Sequence, residues 1–288
     1  MELVIYGFIN GMSLVLMSIG FVIAYGVSRV PNFAHGALFV FTGYLTWVFL
    51  YQVGLPYPMA IILSLIIIGI VGAALYNFIL IRVRGMPISE IMVSFAVGLA
   101  ILELLRWAGL RGMTYMLPPF VRGSISVAGV PVDYQRVMIV VAGILVLVFL
   151  WGFTHFLKPG LAFRAIAQNE RAALVLGIDS DRTAAIAVAM GAVLAGLGGV
   201  LILPLGNIVV EMGYEVLIFA IAVSVCGGLG SWKGVIAASF LIGYAQIFTV
   251  RFIAAHYHFV VALLVIIVVL ILKPSGLYGK QKELEERV

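Results

Sequence analysis

The chain has 288 residues, of which 64% are hydrophobic and 10% charged, with 17 Lys and Arg against 12 Asp and Glu and a mean hydropathy of +1.21. Water-soluble domains are about 45–50% apolar, so this composition excludes an ordinary soluble fold, and with it a reading of the net charge of +5 as a nucleic-acid surface. Its apolar runs of about 20 residues suit membrane-spanning helices rather than the shorter alternating strands of a barrel. The expected fold class is therefore all-α: a polytopic transmembrane helical bundle of about nine spans, one domain over residues 1–288, with broken or re-entrant segments.

In chain order, the first span covers about Val4 to Val27 and carries Gly7, Gly11, Gly20 and Gly26 with Ser13 and Ser18, small residues that let membrane helices pack closely. It is too long for a signal peptide and reads as a retained span. SRVPNFAHGAL, Ser28 to Leu38, breaks the chain near the membrane, because Pro31 lacks a backbone donor and Gly36 permits close approach. A shorter second span covers about Gly36 to Tyr51. The turn GLPYP, Gly54 to Pro58, leads into a third at about Met59 to Ile81, stopped by the basic RVRG of Arg82 to Gly85. The fourth, Ile91 to about Leu110, holds Glu103 and Arg106 one helical turn apart, read as an ion pair rather than a transport site because each charge offsets the other's desolvation. Arg111 to Gln135, with Pro118, Pro119, Gly129 and Pro131, reads as a folded extramembrane loop, and the fifth span comes next at about Val137 to Leu157.

Lys158 to Arg182, KPGLAFRAIAQNERAALVLGIDSDR, is the wettest interior stretch of the chain, with seven charged residues of both signs. Pro159 and Gly160 are expected to break the preceding span and Gly177 to end the stretch, leaving about fifteen helix-favouring residues between them. On one helix Arg164, Gln168 and Arg171 share a face, while Ile166, Ala173 and Gly177 lie roughly opposite, small enough at Ala173 and Gly177 for close approach of a partner. At this level two readings stay open: a helix that docks on another protein, and an amphipathic connector at the bilayer surface.

The sixth span, Thr183 to about Leu205, contains GAVLAGLGG, Gly191 to Gly199. The link Gly206 to Glu215 precedes a seventh that is interrupted by CGGLGSWKG, Cys226 to Gly234. An eighth runs from Gly234 to about Phe252, and HYH at His256 to His258 turns the chain into a ninth ending at Lys273 and Pro274. Residues 274–288 form a short charged tail with about one helical turn. Placing the central stretch in the cytoplasm puts 12 of the 17 basic residues inside and five outside (Arg106, Arg111, Arg122, Arg136 and Arg251), so the amino terminus is expected outside and the tail inside.

Motifs for chemistry are missing. Gly279-Lys280 is followed by Gln281 and lacks the leading glycine of a phosphate loop, and His35, His155, His256 and His258 show no zinc spacing. Cys226 reads as a small packing residue. Gly196, Gly198 and Gly199 have no preceding strand and are not a nucleotide fingerprint. No nucleophile or metal constellation argues for an enzyme. The two broken segments are more informative, since transporters bind solute beside discontinuous helices. Asn32, His35 and Gly36 in the first, and Gly227, Gly228, Gly230 and Ser231 in the second, are candidate pathway residues. Gly43-Tyr44 and Gly243-Tyr244 give a faint internal repeat.

Four blocks, IAYGVSRVPNFAHGAL (Ile23 to Leu38), GLAFRAIAQNERAALVLGID (Gly160 to Asp179), CGGLGSWKGVIAASFLIG (Cys226 to Gly243) and KPSGLYG (Lys273 to Gly279), stand in the order found in the branched-chain amino acid permeases of ABC importers, and the chain resembles the smaller membrane subunit of that family. The resemblance implies that residues 158–182 form a cytoplasmic coupling loop, with Arg164, Gln168, Asn169, Glu170, Arg171, Ala172, Ala173 and Gly177 at the ATPase contact. The family pattern is Glu-Ala-Ala, three residues, then Gly; here Arg171 stands where Glu is expected and Glu170 is one place early. The implied partners are a second permease subunit in a heterodimer, two ATP-binding subunits, a solute-binding protein outside the membrane, and membrane lipid. No cofactor is implied in this chain, ATP and Mg2+ belonging to the ATPase subunits. The resemblance also implies a bacterial or archaeal plasma membrane and alternating access, with urea, short amides and other small organic solutes as alternative cargo. An ATP-independent secondary transporter or channel is the competing class.

Overall fold

The computed structural model describes residues 1–109 and 115–279. The end of the fourth expected span, Arg111, and the tail from Lys280, with its expected helical turn, lie outside the described residues. In chain order the elements are α1 (Glu2–Ser28), α2 (His35–Tyr51), α3 (Tyr57–Val83, with a π-helical turn at Leu75–Leu80), α4 (Pro87–Ala108), β1 (Ser124–Val127), β2 (Val130–Asp133), α5 (Tyr134–Phe156), α6 (Lys158–Gln168), α7 (Glu170–Val175), α8 (Ser180–Ile202), α9 (Glu211–Gly227), α10 (Trp232–Phe252) and α11 (His258–Leu272). Among the described residues seven helices are long and apolar enough to cross a membrane: α1, α3, α4, α5, α8, α10 and α11, when short turns at their ends are included. The expected all-helical bundle is what the chain forms.

α1 and α8 are its axis. The most apolar stretch of α1 is 72% buried and that of α8 67%, against 11% for α11, whose apolar side chains face outward. Small residues explain the order. A methyl group on Gly191 would come within 2.6 Å of the Gly20 carbonyl oxygen, so these two backbones touch with nothing between them. Gly72 of α3 packs equally close to Ala192 of α8.

α2 and α9 are each 17 residues long; His35 at the start of α2 is buried, whereas Glu211 at the start of α9 is exposed. Ser28 ends α1, Arg29 turns left-handed (φ 58°), and residues 29–34 lead back inward. His35 then reaches the Met17 carbonyl (2.8 Å), which lies about 16 Å back along α1 at 1.5 Å per residue. From there α2 runs to the opposite end, where the Tyr44 hydroxyl donates to Ala108 (3.1 Å) and Trp47 packs edge-on against Tyr115. α9 begins beside α4, with Gly213 against Leu102, and runs the other way to Gly227. Their first turns meet: a side chain on Gly36 would fall on the Gly213 carbonyl. The break expected at Pro31 is thus a re-entry into the bundle, as is the link from Gly206, while the second expected break, Cys226 to Gly234, is the turn between α9 and α10.

The connection before α5 folds as an antiparallel hairpin, Ser124 opposite Asp133, closed by Ala128 and Gly129, both with positive φ (51° and 81°). Val130 and Val132 bury against Ile9, and the Tyr6 hydroxyl donates to Pro131 (2.7 Å), so the hairpin covers the start of α1.

Candidate functional site

Three of the four motif blocks meet directly at the end of the bundle where α1 finishes. Gly26 packs on Gly230, Val27 buries against Phe163, Ile166 and Ala173, and Arg29 donates to the Ala167 carbonyl (3.0 Å). The fourth block seals the third: the Leu277 and Tyr278 amides donate to the Cys226 and Gly227 carbonyls (2.8 and 2.9 Å), satisfying the open end of α9. Ser231 caps α10, its hydroxyl accepting from the Gly234 amide (3.2 Å).

The polar stretch is two helices, not the single one expected. Pro159 sits in the first turn of α6, where its missing N–H costs nothing, and Gly160 lies under the Phe153 carbonyl, so this pair starts a helix rather than merely ending one. Asn169 then divides the stretch. Its backbone is extended (φ −158°) and its side chain accepts from the Ala172 amide (3.0 Å), an N-cap for α7. Gly177 ends α7 with φ 81°, as expected of a left-handed terminator. The division separates Arg164 and Gln168 from Arg171. Ile166 and Ala173 turn inward onto Val27 and Ala187, while Arg171, Ala172 and Gly177 are exposed.

The residues missed from sequence are Leu174, Val175 and Leu176. They project away from the bundle, Val175 88% exposed and Leu176 79%, an apolar tip on an otherwise charged loop. The signal was present: three consecutive aliphatic residues on so short a helix cannot all face one side.

Behind this tip lies an ionic cluster. Arg84, just past α3, donates to Glu170 Oε1 (2.5 Å), to Ser180 Oγ (2.9 Å) and to Asp181; Ser180 also donates to Glu170 (2.6 Å), and the Tyr76 hydroxyl from the π-helical turn reaches Asp181 (3.4 Å). Burial disfavours the guanidinium charge, but Tyr76, Glu170 and Asp181 more than offset it, and the Arg84 pKa is raised. Glu170 thus has a partner within its own chain.

The candidate pathway residues fall in two places. Asn32, His35 and Gly36 are buried deep in the bundle at the meeting of α2 and α9: the Asn32 side chain accepts from the Ala34 amide (3.1 Å), and the His35 ring stands edge-on to Phe21. Gly227, Gly228, Gly230 and Ser231 lie at the Arg84 end, closed by the carboxyl-terminal segment. The structure does not bring the two sets together. At the far end Arg106 bridges Glu103 (2.6 Å) and Glu211 (3.3 Å), the expected ion pair with a second acid added. Among the described residues no group of His, Cys, Asp and Glu could hold a metal ion.

The family described as branched-chain amino acid transport system / permease component matches residues 3–270. The chain is 28% identical to the high-affinity branched-chain amino acid transport system permease protein BraD of Pseudomonas aeruginosa over 97% of this chain and 96% of that one. It is 26% identical to the corresponding permease protein LivH of Escherichia coli, covering 94% and 92%. Among solved structures, PsaBC from Streptococcus pneumoniae in complex with Fab shares the fold, with a TM-score of 0.54 at 13% identity over 96% of this chain and 94% of that chain.

Proposed function

The chain belongs to the family of branched-chain amino acid transport system permease components, and from that premise we propose that it is the non-catalytic membrane subunit of an ATP-driven importer of branched-chain amino acids. It supplies half of the translocation pathway, beside a second permease subunit. Two ATP-binding subunits hold ATP and Mg2+ in the cytoplasm, and a solute-binding protein delivers cargo from outside. The bundle makes nine passes, α2 and α9 each completing theirs with an extended lead-in. The hairpin end faces out and the Arg84 end faces the cytoplasm of the plasma membrane, an orientation supported by the excess of basic residues at that end.

The observation that carries this reading is the exposed tip of Leu174, Val175 and Leu176, standing off the membrane-spanning bundle on the loop between α5 and α8. An apolar tip offered to water fits a groove on a partner, and its neighbours Arg171, Ala172 and Gly177 make the rim of the contact. When the ATPase subunits close on ATP, the tip is displaced, and the seam of Phe163, Ile166 and Ala173 passes the displacement to Val27 of α1 and Ala187 of α8. Inside, the Asn32–His35 turn and the N-terminus of α2 lie deep in the bundle, a setting suited to a solute carboxylate.

Co-purification with the cognate ATPase subunits tests the docking. Val175→Glu and Gly177→Trp leave the buried seam intact, so both should insert normally while retaining about tenfold less ATPase, the effect of burying one unpaired charge or misfit at a contact of this kind. Retention unchanged in both variants, or solute uptake by the isolated chain without ATPase, overturns the proposal.

A further inference from the structure

The geometry points to Arg84 as the positioning residue that makes the docking helix and the foot of α3 move as one body. The inference rests on the coupling reading of residues 158–182 and adds to it the route by which movement leaves the loop. α7 is only Glu170–Val175, and its covalent ties are the extended Asn169 on one side and the glycine turn at Gly177 on the other, neither of which transmits direction. What fixes it to the bundle is the apolar contact of Ala173 and the ionic cluster. Within that cluster one guanidinium holds the first turn of α7 through Glu170 and the first turn of α8 through Ser180 and Asp181, while sitting on the last residue of α3.

Two details argue for transmission rather than simple surface pairing. The arginine fork is held by two carboxylates at once, and Ser180 ties those carboxylates' elements together, so the geometry is determined on every side. Tyr76 reaches the same Asp181 from within the π-helical turn, a fully buried side chain on the one irregular stretch of α3. π-Helical turns inside α-helices recur at functional sites. A displacement of α7 therefore acts on α3 at the place where that helix is least regular, and α3 packs along α8 through Gly69 and Gly72.

The test places spin labels at Arg82→Cys and Ala172→Cys, both exposed, in a Cys226→Ala background, and, because Ala172 borders the docking contact, measures their separation with and without ATP only in labelled complexes that retain ATPase as the natural chain does. With Arg84 present the separation should stay narrow and unchanged by ATP; in Arg84→Gln it should broaden and become ATP-dependent. Leucine uptake per ATP hydrolysed should fall about tenfold in Arg84→Gln and Glu170→Gln and less in Arg84→Lys, at unchanged amounts of folded protein and retained ATPase. A narrow, ATP-independent distance in Arg84→Gln, or a loss of uptake in proportion to lost ATPase or lost folded protein, overturns the inference while leaving docking intact. A natural chain that retains no ATPase overturns both.

Discussion

At the scale of single residues, the tightest constraint is where Gly36 meets Gly213. Any side chain on Gly36 lands on a backbone carbonyl, which has no rotamer to escape into. Gly36→Ala should therefore destabilise the protein by about 1–3 kcal/mol, the usual cost of overpacking, seen as a lower unfolding midpoint in detergent. Gly177 makes the opposite case. Open space surrounds it, and Gly177→Ala meets only the cost of its left-handed backbone, about 1–2 kcal/mol confined to the end of α7. Its global unfolding midpoint should hardly move; equal losses at both positions would show that the Gly36 contact is slack. The sequence pointed to close approach at Gly36 and to a terminating turn at Gly177, but the partner of Gly36 lies 177 positions away and carried no local signal.

At the scale of elements, apolar run length and Gly or Pro punctuation were enough to locate the seven helices of the described residues that are long and apolar enough to cross a membrane, because a membrane span must satisfy its backbone internally and so announces itself by length. The polar loop was harder. Helical periodicity put Ile166, Ala173 and Gly177 on one face of a single helix; Ile166 and Ala173 instead bury from two successive helices against Val27 and Ala187, partners far away in sequence, while Gly177 is exposed, so inward and outward were not decidable locally. Arg84 and Glu170, 86 residues apart, carried no mutual signal. The hairpin was hidden for a local reason: its turn is Ala128-Gly129 rather than Asn-Gly. Replacing Ala128 by Gly should stabilise the hairpin by about 1 kcal/mol through relief of that left-handed alanine, read as slower amide exchange in Ser124–Asp133. The π-helical turn gives a sharper expectation. Deleting the exposed Asn77 removes the extra residue of that turn and restores regular helix, so Arg84 keeps its side of α3 but the irregular stretch it acts on is gone. That variant should insert and bind ATPase yet show the low uptake per ATP expected of Arg84→Gln; normal coupling would mean the turn is only tolerated.

At the scale of the whole molecule, orientation is open to direct measurement. Cys226 is buried and is the only cysteine, so single reporter cysteines are easily introduced. With the hairpin end outside, an impermeant maleimide should label Ser126→Cys on intact cells and Val175→Cys only after permeabilisation. The reverse pattern would invert the assignment of both ends.

The closure of α9 also bears on how the protein is made. The carbonyls of Cys226 and Gly227 find their donors in Leu277 and Tyr278, with α10 and α11 lying between. A ribosome adding about 5–20 residues per second delivers those donors seconds after α9 has left it, so through that interval the helix end stands open at the membrane surface. Closure of this end thus waits for the segment after α11, and a nascent chain cut short at Lys273 would present quality-control proteases with an unfinished helix end.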